Sequence, residues 1–314
     1  MEQQFYLSHS LNAKCLPDYP VDWDALFVRS APLAVEIGFG NGEFLVDWAT
    51  KKPDWNLVGF ELSMESIERV CKRIAQSAKA NVVPLHEDAR FGIRELFPDN
   101  SIEHVMMNFP DPWPKDRHKK RRLLDENFAD ILAMTLKPGC PYELVTDQQW
   151  YAEHAFELFS ASANFTTTEI ELNPIRDVTT KYERKWRELG RSSYRVIAIK
   201  NKSAIVPRLL ENSEMPHAFV EDNNIPQKVE KLVGFTYTGS DILYVVKDVF
   251  TDVLNGSYLL NVVAKDRDYQ QNILVGIYRH KSERWIVKLD KIIQPYRTPA
   301  VKAAVWGIGK QLND

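Results

Sequence analysis

Asp111 and Trp113 sit inside a stretch with three prolines in five residues, Asn108-Phe-Pro-Asp-Pro-Trp-Pro-Lys115. A proline ring fixes φ at about −65° and removes an N–H donor, so the stretch can neither continue a helix nor lie inside a sheet. It predicts a stiff loop that presents a carboxylate and an indole on a pre-set path. The composition then inverts. Lys115, Arg117, Lys119, Lys120, Arg121 and Arg122 stand against one acid, Asp116, with His118 among them. An acidic-aromatic tip followed by a basic run suits a reacting group and a polyanion grip on one loop. A basic run alone is as often a solvated face. Stiffness of this kind is usually wasted on a mere connector. Trp113 has two readings of equal weight, a stacking partner for an extruded base and a packing residue.

A second stretch with chemical potential is Glu36-Ile-Gly-Phe-Gly-Asn-Gly42. Glycines at 38, 40 and 42 let backbone approach a ligand closely and adopt positive φ. A dinucleotide fingerprint needs G-x-G-x-x-G, and here the third position is Glu43. A carboxylate there would repel a pyrophosphate. A zwitterionic cofactor without phosphates, such as S-adenosylmethionine, meets no such objection. Glu61 follows Gly42 by 19 residues, where an acid meets ribose hydroxyls. Asp88 ends the next apolar run, within reach of an adenine edge. A nucleotide-binding fold of another kind, such as a nicotinamide oxidoreductase, is the competing reading.

The elements that must hold these residues follow a rhythm of short apolar runs and amphipathic stretches. Strands are predicted at Leu33–Ile37, Asn56–Glu61, Asn81–His86, Ile102–Asn108, Tyr142–Thr146, Phe165–Leu172 and Ser193–Lys200. Helices are predicted at Gly42–Lys51, Ser63–Ala80, Phe91–Phe97, Asp125–Leu136, Gln148–Ala161 and Thr180–Leu189. Alternation of this kind implies right-handed crossovers and a doubly wound α/β fold with a mainly parallel sheet. Ligands then sit at the carboxyl ends of the strands. Glu61, Asp88, Asp111 and Asp147 all end a strand or follow one, and such a rim of charge is costly unless something binds there.

Residues 1–30 form a weakly patterned lead-in, 31–200 the α/β domain and 201–225 a polar linker. Residues 226–314 form a smaller α+β domain, with β-rich segments at 235–238, 242–246, 258–263, 273–278 and 284–287 and a helix at Pro299–Leu312. No motif in it attaches to chemistry; extra RNA contact, stabilisation of the first domain and an oligomer contact are all open.

The whole chain has 314 residues, is 44% hydrophobic and carries a net charge of −3. Any grip on a polyanion is therefore local. Residues 176–195 repeat the theme, with seven basic and three acidic side chains. Cys15, Cys71 and Cys140 are far apart and lack metal-ligand spacing, which fits a reducing cytoplasm with no metal. No apolar leader and no membrane-length run is apparent.

Together these strings resemble the bacterial tRNA (guanine-N7-)-methyltransferases. The likeness rests on Glu36–Gly42, on Phe109-Pro-Asp-Pro-Trp-Pro-Lys115 with Arg117-His118, and on Thr180-Lys-Tyr-Glu183. It spans roughly residues 30–200 and leaves the C-terminal part unexplained. The resemblance implies a Rossmann-like class I methyltransferase with S-adenosyl-L-methionine as donor. The acceptor it implies is the guanosine at position 46 in the tRNA variable loop, with no role for DNA or a membrane. By the same resemblance Glu36, Glu61 and Asp88 hold the cofactor beside Gly38, Gly40 and Gly42, and Asp111 is catalytic and close to it. Lys115, Asp147, Thr180, Lys181, Tyr182 and Glu183 contact substrate. Arg117, His118, Lys119, Lys120, Arg121 and Arg122 contact RNA. A non-catalytic RNA-binding protein on the same fold is the third reading, and oligomeric state stays open.

Overall fold

Every residue of strand β1 (Leu33–Ile37) is buried, as a continuous apolar run needs to be in a parallel sheet with both faces covered. The computed structural model describes residues 10–77, 79–115, 117, 122–210, 214–221, 224–280 and 284–314. They divide into two units. One runs to Pro207 without Lys14–Asp18, and the other joins Lys14–Asp18 to Arg208–Asp314.

In the first unit β1 pairs in parallel with β2 (Asn56–Glu61) and β4 (Ile102–Asn108). β3 (Val82–His86) and β5 (Pro141–Thr146) extend the parallel set on either side. β8 (Tyr194–Lys200) then runs antiparallel beside β5. The predicted strand 165–172 divides into β6 (Phe165–Thr167) and β7 (Glu171–Leu172), both on β8. Thr167 faces Ala198 and Glu171 faces Arg195, so one strand advances four residues while its partner advances three. The extra residue is a bulge, which interrupts pairing. The strand order is β3-β2-β1-β4-β5-β8-β6, a doubly wound α/β sheet whose order reverses between β1 and β4.

Helix α1 (Trp23–Phe27) lies in the predicted lead-in. Asp22 caps it, and Trp23 donates its indole N–H to Leu96 O at 3.0 Å. The crossover helices are α2 (Glu43–Lys51), α3 (Met64–Ser77), α4 (Ala89–Leu96), α5 (Glu126–Thr135) and α6 (Gln149–Ala161). The apolar side of α3, Ile67, Val70, Cys71 and Ile74, is buried, as its period-3.6 pattern demands. Gly42 has φ 71° at the start of α2, and a Cβ there would lie 2.3 Å from Val70 Cγ2. Gly42→Ala combines an unfavourable backbone angle with overpacking against α3. It is expected to lower stability by about 2–4 kcal/mol in denaturant unfolding.

The second unit is an antiparallel sheet in the order β10-β11-β12-β13-β14-β9. Its strands are β9 (His217–Val220), β10 (Thr236–Thr238), β11 (Ile242–Asp252), β12 (Ser257–Asp266), β13 (Tyr269–Arg279) and β14 (Trp285–Leu289). Two helices complete it, α8 (Ile225–Glu230) and α9 (Pro299–Asn313). Val262, Ile277 and Val287 share one core with Ala300, Ala304 and Ile308 of α9. The expected linker 201–225 needs correction: β9 lies inside it and pairs with β14. His217-Ala-Phe-Val220 does not alternate polar with apolar, so nothing in the sequence marks it as a strand. Among the described residues no helix is long and apolar enough to cross a membrane.

Candidate active site

The chain leaves β1 through Gly38, with φ 69°, and Gly40, with φ 52°. A Cβ at either would meet nothing within 4 Å, so the turn leaves open space above the strand end. The cleft there is lined by Glu36, Gly38, Gly40, Glu43, Asn108, Phe109 and Thr180, among others, and by no lysine, arginine or histidine among the described residues.

Glu36 is 1% exposed. Asn108, at the end of β4, donates its amide to Glu36 Oε1 at 3.2 Å, and Oε2 has no hydrogen-bond partner among the described residues. Burial pushes the Glu36 carboxyl up to about 8, against the pull of the Asn108 hydrogen bond and the Arg176 charge. Glu61 ends β2 beside the glycine turn. Its carboxylate accepts the N–H of Gly40 at 3.0 Å, of Leu62 at 2.8 Å and of Ser63 at 3.0 Å. Asp88, one strand further out, caps α4 by accepting Phe91 N–H at 3.0 Å. The cleft thus brings Glu36, Gly38, Gly40 and Thr180 together, and Glu61 joins them through Gly40.

Glu43 behaves differently from its sequence reading. Arg73 and Arg184 reach it at 3.1 and 3.2 Å, so its charge is largely neutralised. Glu43 is therefore a weaker barrier to a phosphate than its place in the sequence suggests.

The proline-rich loop leaves β4 directly beyond Asn108. Phe109 and Trp113 both lie in the left-handed region, with φ 47° and 46°, which aromatic residues rarely adopt unless their surroundings over-determine it. The anchors are visible. Phe109 N–H donates to Val145 O at 2.7 Å. The Arg122 guanidinium donates to Trp113 O at 3.0 and 3.1 Å and lies 5.0 Å over the Trp150 ring. Arg90 donates to Leu123 O at 2.8 Å and forks onto Asp125. Arg122, expected to contact RNA, is therefore a half-buried clamp on its own loop. Asp111 is exposed between Pro110 and Pro112, and Lys115 and Arg117 are exposed beyond it. His118, Lys119, Lys120 and Arg121 lie outside the described residues. Asp147 follows β5 and is half-buried.

Thr180 caps helix α7 (Lys181–Glu188), with its Oγ1 accepting Glu183 N–H at 3.0 Å. The string Thr-x-x-Glu predicts a reciprocal bond from the Glu side chain to the cap backbone, but it is not made. Lys181 and Tyr182 form the first turn. Glu183, expected at the substrate surface, is instead 2% exposed, and neither carboxylate oxygen has a hydrogen-bond partner among the described residues. Arg176 draws it inward from 3.8 Å, and Arg187 stands 3.6 Å away. Arg176 also donates to Asn108 Oδ1 at 2.8 Å and stacks 5.0 Å over Phe44. Asn108 and Arg176 are the residues that sequence reasoning missed. A cation in a loop reads as solvated, and nothing in its spacing marks it as buried.

A model of a family described as "Putative methyltransferase" matches residues 30–196. The chain is 39% identical over 306 residues to the tRNA (guanine-N(7)-)-methyltransferase of Thermotoga maritima, covering 97% of each. To the protein of the same name from Coprothermobacter proteolyticus it is 33% identical over 302 residues, 94% of this chain and 91% of that one. Among solved structures, an antibiotic-resistance methyltransferase Kmr aligns with TM-score 0.45 and 16% identity, over 62% of this chain and 99% of that one.

Proposed function

The chain belongs to the tRNA (guanine-N(7)-)-methyltransferase family, and from that premise we propose that it methylates N7 of the guanosine at position 46 in the tRNA variable loop. The methyl donor is S-adenosyl-L-methionine. The observation that carries the reading is the buried, half-partnered Glu36 in an acid-lined glycine cleft, with the Phe109–Lys115 loop leaving the neighbouring strand end.

The residues present fit this donor. Glu36 keeps one buried oxygen without a partner among the described residues, and Gly38 and Gly40 leave room. The lining itself holds no lysine, arginine or histidine among those residues, while Arg73, Arg176 and Arg184 behind it are engaged by Glu43, Asn108 and Glu183. When bound, S-adenosyl-L-methionine supplies an electrophilic methyl group on a sulfonium. Guanine N7 has a free lone pair, so no general base is needed. The protein's task is to align acceptor and methyl and to exclude water. The purine gains positive charge as N7 is alkylated. In our reading Asp111 accepts from guanine N1–H and the exocyclic amine, which selects guanine over adenine and offsets that charge. Lys115 and the run from Arg117 to Arg121 contact the RNA backbone in the same reading. Asp147 and the first turn of α7 bound the acceptor side, while its cap, Thr180, lines the donor cleft.

The test is methyl transfer to unmodified tRNA carrying guanosine at position 46 against the same tRNA carrying adenosine there. Transfer to the first and none to the second is the expected result. Equal labelling of both would discard the position, and labelling of neither would discard the reaction.

A further inference from the structure

We propose that Arg176 is a positioning residue that, through Asn108 and Glu183, locks the donor cleft and the acceptor-side helix into one arrangement. The inference rests on the function proposed above and adds to it a residue that touches neither substrate.

Its side chain is 5% exposed. A guanidinium is rarely buried unless its fork is used in full, because burial of the charge must be offset. Here the fork points two ways. One nitrogen donates to Asn108 Oδ1 at 2.8 Å. That bond fixes which end of the Asn108 amide faces Glu36, so its N–H reaches Glu36 Oε1 at 3.2 Å. The other nitrogen lies 3.8 Å from Glu183 Oε2 and donates to Val178 O at 3.3 Å. Phe44, at the start of α2, supports the guanidinium face at 5.0 Å.

Two details argue that the link does more than fill space. Glu183 has the cap geometry for a reciprocal bond and forgoes it, remaining buried with both oxygens short of a hydrogen bond. The chain of contacts also runs from Glu36 in the donor cleft to Glu183 in α7, the helix that the proposed function sets toward the acceptor, while its cap Thr180 lines the donor cleft itself. Asn108 is in addition the residue from which the Asp111 loop departs. Repositioning Arg176 would therefore move both sides together.

The test measures two dissociation constants separately and without turnover. One is for S-adenosylhomocysteine, the demethylated donor, and the other is for unmodified tRNA in the absence of donor. Arg176→Gln is expected to weaken both by about tenfold, the scale of one lost hydrogen bond to a charged group. Asn108→Ala cuts the donor arm and should weaken S-adenosylhomocysteine more than tRNA. Arg187→Gln removes the exposed cation beside the same carboxylate and should leave S-adenosylhomocysteine binding unchanged. If Arg176→Gln fails to fold because Glu183 is left unpaired, Arg176→Gln with Glu183→Gln removes that charge. The double variant should fold and still bind S-adenosylhomocysteine weakly. A folded Arg176 variant, single or double, with a wild-type constant for S-adenosylhomocysteine overturns the proposal. Wild-type protein that binds neither ligand would instead overturn the functional reading.

Discussion

Asp111→Asn is expected to raise the barrier to methyl transfer by about 2–4 kcal/mol, roughly a 30- to 900-fold slower single-turnover rate. The substitution keeps the shape of the side chain and removes its charge. It also sets an amide donor against guanine donors, where a carboxylate accepts both. The size of the effect depends on how firmly the loop holds the group. Asp111 lies between two prolines, and those lie between two aromatic residues in left-handed geometry. Arg122 and the Phe109–Val145 bond pin the arrangement. A carboxylate so fixed needs little reorganisation as charge develops, which is the condition for a large electrostatic contribution. Binding of S-adenosylhomocysteine should be unchanged, which separates lost chemistry from a lost fold. A single-turnover rate close to that of the wild type would remove Asp111 from the chemistry.

The second large effect concerns Glu36. In the free protein its carboxyl is raised from 4.5 to about 8 by burial, so it is mostly protonated at neutral pH. A ligand cation nearby favours the ionised form, and binding then releases a proton below pH 8. Affinity for S-adenosyl-L-methionine should accordingly rise between about pH 6 and 8, by up to about tenfold per unit, and level off above 8. Calorimetric titration in buffers of different ionisation enthalpy measures the released proton directly. Glu36→Gln should bind weakly and lose that part of the slope, and any slope left in the variant belongs to the ligand. Stability of the free protein moves the opposite way. Between pH 4.5 and about 8 the folded state holds a proton that the unfolded chain has given up, so stability falls as pH rises through that window. An unchanged pH dependence in Glu36→Gln would contradict the assignment.

The first unit's fold was legible because its signals are local. β1 through β5 are largely apolar, largely buried strands of one parallel sheet, and α3 shows one clean apolar stripe. The bulge between β6 and β7 and the short β9 were not legible, since pairing with a distant partner decides both. The site was legible as strings and less so as charges. Counting residues 176–195 as a basic patch treats each cation as free. In the structure Arg184 meets Glu43, Arg195 meets Glu171, Arg191 stacks on Trp186, and Arg176 is buried. Charge counts along a chain miss acids that tertiary structure brings from elsewhere. Glu43 was misread for the same reason, because neither of its arginines is near it in sequence.

The way Glu61 is held bears on inhibitor selection. Three backbone N–H groups fix its carboxylate beside the glycine turn, so it cannot swing aside for an unsuitable guest. With Glu61 at the ribose, as the resemblance implies, adenosine analogues carrying phosphates there would place negative charge against an immobile acid. Neutral or cationic thioether and amine analogues meet no such barrier. A compound collection for this enzyme is therefore better weighted toward uncharged and basic nucleosides than toward nucleotides.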